Sequence, residues 1–139
     1  MQKIPAITEA EWPLMKILWD QAEGGVSWLG AAEIVDPVAT DRGIHHRTAR
    51  TLLARLVKKR AVETKPANAM GGGVNGAYLY RAKVSRDAVT REAARSFLSR
   101  IFDGNAAPAL VHLLKESRGQ LSAQELKDLR ALLSTKERG

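Results

Sequence analysis

Residues 43–60 read GIHHRTARTLLARLVKKR, and this stretch holds no acidic residue in a chain that has fifteen. Ala49, Leu52, Leu53, Leu56 and Val57 fall at i, i+3, i+4, i+7 and i+8, the spacing that buries one side of an α-helix. Arg47, Thr51, Ala54 and Lys58 then lie opposite that stripe, with Thr48, Arg50, Arg55 and Lys59 on its shoulders. The pattern predicts a helix over His45–Arg60 that leucines anchor and that exposes a basic, hydroxyl-bearing surface suited to a polyanion. An ordinary solvated helix face pairs opposite charges at i, i+4, and without Asp or Glu no such pair can form here.

The flanking segments give this helix a setting. Thr8 and Glu11 have capping-box spacing, and Trp12, Met15, Leu18 and Trp19 recur on one face, so a first helix is predicted over Thr8–Gln21, ended by Gly24-Gly25. Pro13 makes its start irregular or moves it toward Trp12. A short extended piece over Val26–Leu29, a brief helix over Ala31–Val38 weakened by Pro37, and a turn over Asp41–Gly43 lead into the basic helix. Beyond it, alternation over Ala61–Lys65 and the period-two Tyr78 and Tyr80 within Ala77–Val84 predict two strands. Between them lies PANAMGGGVNG, whose Asn75-Gly76 signals a hairpin turn. Helix, short helix, basic helix and hairpin, in that order, make a winged helix-turn-helix.

From Ser85 onward every segment reads as helical. Ala94, Phe97, Leu98, Ile101 and Phe102 form one amphipathic segment that stops at Gly104, and a second covers Ala107–Glu116. The third has Ser122 as N-cap, Glu125 completing a capping box, Leu121 and Leu126 as a hydrophobic staple, and Leu126, Leu129, Leu132 and Leu133 as its apolar face. Three short helices bury little surface alone, so a second chain is expected to cover them. The expected fold is therefore mainly α with a small β-hairpin wing: a winged helix-turn-helix DNA-binding domain over 1–84, then a helical dimerisation domain over 85–139. The residues expected at the dimer contact are Phe97, Leu98, Ile101, Phe102, Leu110, Leu113, Leu114, Leu126, Leu129 and Leu133.

Bulk properties narrow the partner. A formal charge of +7 and a pI near 10.1 favour anionic partners, and seven of the 22 Lys and Arg crowd into Arg42–Arg60. The absence of cysteine excludes disulfides and thiolate metal sites. No apolar run approaches the ~18–20 residues of a membrane helix and the N-terminus lacks a signal-peptide core, so no membrane partner and a cytoplasmic location are expected. Gly71, Gly73 and Gly76 satisfy G-x-G-x-x-G, but AYLYRAKV follows as a strand where a pyrophosphate site needs a helix N-terminus. That loop reads as a flexible wing tip. His45, His46 and His112 do not converge on a metal, and no nucleophile–base pair or carboxylate pair stands out, so no enzyme activity, cofactor or metal is expected.

ITEAEWPLMKILWD, AAEIV, RTARTLLARLVKKRAVE and SFLSRIFDG resemble the signature segments of the BlaI/MecI/CopY repressors, the penicillinase-repressor group, in the right order from Ile7 to Leu133. The resemblance implies a homodimer that sits on a palindromic double-stranded operator and blocks transcription. Thr48, Arg50, Thr51 and Arg55 coincide with the Thr-x-Arg-Thr-x-x-x-Arg run of that family's recognition helix. Together with His46, Arg47 and Lys58 they form the expected DNA-binding set. Protease-controlled members are cut at an Asn-Phe bond, whereas this chain has Leu113-Leu114 near that place; the copper-responsive branch relies on C-terminal cysteines, which are absent. Trp28–Gly30, His45-His46 and the long glycine wing also differ from the usual pattern. The inducer, whether a regulatory protease or another signal, stays open. The rival reading is a winged-helix protein-interaction module whose basic face docks an acidic protein.

Overall fold

The computed structural model describes residues 4–67, 77–117 and 119–138, with side chains as far as Leu132. In chain order the elements are α1 (Trp12–Glu23), β1 (Leu29–Gly30), α2 (Ala31–Arg42), α3 (His46–Lys58), β2 (Val62–Pro66), β3 (Tyr78–Ala82), α4 (Arg86–Phe102), α5 (Ala106–Glu116) and α6 (Ala123–Arg138). Two compact units result, Met1–Ala94 and Arg95–Gly139, and the division falls within α4.

The Thr8–Glu11 box forms, with the Glu11 N–H donating to Thr8 Oγ1 at 3.2 Å and the Thr8 N–H donating to Glu11 Oε1 at 3.0 Å. It closes a turn ahead of the helix, and α1 itself begins at Trp12. Pro13 thereby sits in the first helical turn, where a missing N–H costs no hydrogen bond. Helix α2 continues past Pro37 to Arg42, longer than the sequence predicts. Proline removes one helical donor, but Ile34, Val35, Val38 and Ala39 bury a single face across it, and that packing outweighs the lost bond. Gly43, at φ 65, ends α2 in the left-handed region that suits glycine.

Strands β2 and β3 pair antiparallel from Val62↔Ala82 to Pro66↔Tyr78, the expected hairpin. The predicted extended piece shrinks to β1, whose Leu29 and Gly30 pair with Tyr80 and Leu79 of β3. Among the described residues the sheet therefore has the order β1-β3-β2. Asn75-Gly76 and the glycines of the G-x-G-x-x-G match lie outside the described residues.

The core of the first unit joins Leu14, Met15, Leu18 and Trp19 of α1, Ile34, Val35 and Val38 of α2, and Ala49, Leu52, Leu53 and Leu56 of α3. Trp12 and Trp19 meet edge to face at 5.5 Å, and the Trp19 indole N–H donates to the Val84 carbonyl at 3.0 Å. Val89, in the first turn of α4, completes this core. Its one buried charged residue, among those described, is Glu11. The carboxylate accepts from Lys59 Nζ at 2.6 Å, and Nζ also donates to the Ala6 carbonyl at 2.9 Å. Burial pushes the Glu11 carboxyl up, but the Lys59 hydrogen bond, the Thr8 N–H and the Lys59 charge outweigh that and hold it below its ordinary value.

In the second unit Phe97 and Phe102 pack at 5.6 Å, Phe102 lies 6.2 Å from His112, and Ala109 is buried. The Ser122–Glu125 box opens α6 as predicted: the Glu125 N–H donates to Ser122 Oγ at 3.1 Å and the Ser122 N–H donates to Glu125 Oε1 at 2.8 Å. Among the described residues no helix is long and apolar enough to cross a membrane.

Candidate nucleic-acid interface

Helix α3 turns Ala49, Leu52, Leu53 and Leu56 into the core and leaves Arg47, Thr48, Arg50, Thr51, Arg55 and Lys58 exposed. Its N-cap is His45, whose Nδ1 accepts from the Arg47 N–H at 3.0 Å. His46 Nε2 lies 3.1 Å from Asp36 Oδ1 of α2, with both side chains more than half exposed. Thr51 donates its hydroxyl to the Arg47 carbonyl at 3.0 Å, which fixes its side chain along the helix. The side chains of Arg47, Thr48, Arg50, Arg55 and Lys58 make no hydrogen bond or ion pair with any described residue. At thirteen residues the helix is about 20 Å long, and a major groove about 12 Å wide admits it.

Lys59 departs from this pattern. The sequence places it on the basic shoulder, whereas the structure turns its ammonium inward to Glu11. Lys59 falls at i, i+4, i+7 with Leu52 and Leu56, so its position continues the buried stripe, and a long aliphatic stem lets the charge reach the carboxylate.

Two clusters on the sheet were not apparent from the sequence. On one face, Lys65 Nζ and Arg81 Cζ each stand 4.4 Å from the centre of the Trp28 ring, and Arg81 is ion-paired with Glu63. On the other, an open groove of about 360 Å³ lies between α3 and the hairpin, lined by Ala31, Arg50, Leu53, Ala54, Val57, Thr64, Tyr78 and Tyr80. Period-two alternation in both strands could have placed Thr64, Tyr78 and Tyr80 on one side, but only the strand register brings them to Arg50.

Of the residues expected at a dimer contact, Phe97, Ile101, Leu110, Leu113, Leu114 and Leu126 are exposed, while Leu98, Phe102 and Leu129 are half-buried. The Leu133 side chain lies outside the described residues. Among the described residues no group of His, Asp or Glu could hold a metal ion.

Comparison with known proteins bears on this face. The family model described as penicillinase repressor matches residues 7–135. The penicillinase repressor of Staphylococcus aureus is 26% identical over 128 residues, covering 92% of this chain and 90% of that protein. That of Bacillus licheniformis is 24% identical over 133 residues, covering 96% and 93%. The methicillin resistance regulatory protein MecI of Mammaliicoccus sciuri is 24% identical over 130 residues, covering 94% of each chain. A solved structure of the DNA-binding domain of the repressor BlaI aligns with a TM-score of 0.47 at 24% identity, over 62% of this chain and 90% of that one.

Proposed function

The chain belongs to the penicillinase repressor family and is a DNA-binding transcriptional repressor, not an enzyme; we propose that it acts as a homodimer on a palindromic operator in the cytoplasm. In this reading each protomer lays α3 in a major groove, with its N-terminal residues toward base edges and its C-terminal lysine toward phosphates. Arg50 is the candidate reader of guanine, while Thr48 and Thr51 face a base, a thymine methyl or a phosphate. His46 and Arg47 stand at the leading end of the helix, and Arg55 and Lys58 supply charge farther along.

The single observation that carries this reading is the set of five uncompensated side chains on α3: Arg47, Thr48, Arg50, Arg55 and Lys58 are exposed and without a partner among the described residues. A purely structural charge run would be paired by neighbouring carboxylates. The two-fold arrangement draws support from the second unit, where Ile101 and Leu113 are each more than half exposed although both are large aliphatic residues. A second protomer is the occupant that fits short amphipathic helices unable to bury their own stripe.

The test is selection of bound fragments from random duplex DNA. The expected result is an inverted repeat whose half-sites lie about 34–36 Å apart, one helical turn, or a multiple of it. A single half-site with no symmetry mate would refute the dimeric reading. Retention of acidic proteins with no enrichment of any duplex would instead favour the protein-docking module.

A further inference from the structure

We propose that the groove between α3 and the hairpin is a binding site for a small aromatic carboxylate, and that filling it releases DNA. The chemistry of the lining carries this inference. Among the described residues Arg50 is the only charged side chain that lines the groove, no carboxylate does, and the Arg50 guanidinium has no partner. Thr64, Tyr78 and Tyr80 add hydroxyls, while Leu53 and Val57 contribute an apolar floor. An anion is therefore matched by one cation and a few donors, and the remainder of the ligand by aliphatic and aromatic surface. That combination of mainly apolar walls with a few convergent polar groups is typical of small-molecule sites.

Size and shape narrow the class. A volume of about 360 Å³ sits at the low end of the ~300–1,000 Å³ range for ligand pockets, which suits one ring rather than a dinucleotide or a peptide. Tyr78 and Tyr80 are two apart on β3, so their rings project from the same side of the strand and can border a flat ring. A carboxylate is the planar anion that a guanidinium grips with two parallel hydrogen bonds.

The regulatory consequence rests on the repressor reading. Arg50 belongs both to this groove and to the exposed face of α3, so an arginine engaged by a carboxylate is withdrawn from the duplex. Ligand and DNA then compete for one side chain with no change of fold. Apparent DNA affinity should fall by the factor 1 + [L]/Kd, where Kd is that of the ligand for the free protein.

The experiment titrates the full-length protein with sodium benzoate while amide and methyl NMR signals are followed, with sodium chloride added to hold ionic strength constant. Saturating shifts confined to the groove lining, Arg50, Val57, Thr64 and Tyr80 among it, are expected, at about millimolar Kd given so few ligand atoms. Benzamide, the neutral analogue, should bind at least about tenfold more weakly, and Arg50→Gln should weaken benzoate about tenfold. Ala54→Leu, which enlarges an exposed side chain on the rim and leaves the core untouched, should also abolish the shifts. With the protein held well below its Kd for a trace of labelled duplex, DNA release should have the same benzoate midpoint as the shifts. Absence of shifts at the groove, equal binding of benzamide, or release of DNA without groove shifts would each overturn the inference and leave the repressor reading intact. Failure to bind any duplex would overturn the repressor reading, while the shifts would still decide whether the groove takes an aromatic acid.

Discussion

Replacing Lys59 by methionine keeps the aliphatic stem and removes the ammonium, leaving the buried Glu11 carboxylate with its Thr8 hydrogen bond but no counter-charge. Breaking one partner of a buried pair typically costs about 3–5 kcal/mol. A ceiling on the ionic part follows from proton uptake. Glu11 has an ordinary value of 4.5, so protonating it at pH 7 costs about 3.4 kcal/mol, at ~1.36 kcal/mol for each pH unit. The Lys59 side chain is 28% exposed, so part of its charge is already screened. The expected loss is therefore about 2–3 kcal/mol at pH 7. At pH 5 the same proton uptake costs only about 0.7 kcal/mol, and the penalty should shrink accordingly.

The sign of the pH dependence separates this account from a simple packing defect. In the wild type the Glu11 pKa is lowered on folding, so its contribution is complete above the ordinary carboxylate value and is lost as pH falls through the folded value. In Lys59→Met only the Thr8 hydrogen bonds still oppose burial, the largest influence on this carboxyl, so its pKa should rise and acid should relieve the variant while weakening the wild type. Urea unfolding at pH 7 and pH 5, at one fixed protein concentration, measures both differences. The double variant Glu11→Gln, Lys59→Met should recover most of the pH 7 loss. A penalty below about 0.5 kcal/mol, or one identical at the two pH values, would refute the reasoning.

Other outcomes follow from the same geometry. Arg50→Ala should weaken specific operator binding by about 1–3 kcal/mol with little effect on random duplex, whereas Lys58→Ala should weaken both alike, as competition titrations against the two DNAs will measure. A chain ended after Ala94 keeps Val89 in the core and should stay folded, yet sediment as a monomer with greatly reduced operator affinity, because linked half-sites gain from effective concentration. Val89→Ala in the intact chain should cost roughly 1–3 kcal/mol, read as a lower urea midpoint, since a 3% exposed side chain leaves a cavity behind. His45→Ala, which removes the acceptor for the Arg47 N–H, should lower stability by about 0.5–2 kcal/mol; His45→Asn should restore most of it.

Local chemistry was most legible where one pattern dominated. The leucine stripe of α3 and the Ser122–Glu125 box depend on residues within two turns of each other, and both formed as the spacing implies. Boundaries were harder wherever tertiary packing overruled a local signal. Pro37 argued for a short helix, but burial of Val38 and Ala39 against the core carried α2 onward. The extent of β1 depends on its pairing with β3, some fifty residues away, which no local alternation encodes. Lys59 read as part of the exposed basic shoulder and not as an ion pair, because Glu11 lies 48 residues earlier. The site divides the same way: the exposed face of α3 could be written from periodicity, while the groove beside Arg50 required the strand register.

Gly30 is at once the last residue of β1 and the N-cap of α2, and its N–H donates to the Glu33 carboxylate at 2.9 Å. With no spacer between strand and helix, one residue inserted at this junction must either rotate the α2 face by about 100° or reverse the sides of β1, exposing Leu29. Neither is tolerable in a core that both elements share. Chain length is thus fixed at this seam. Evolution can alter the specificity of the repressor by exchanging side chains on α3, but not by adding or removing residues here.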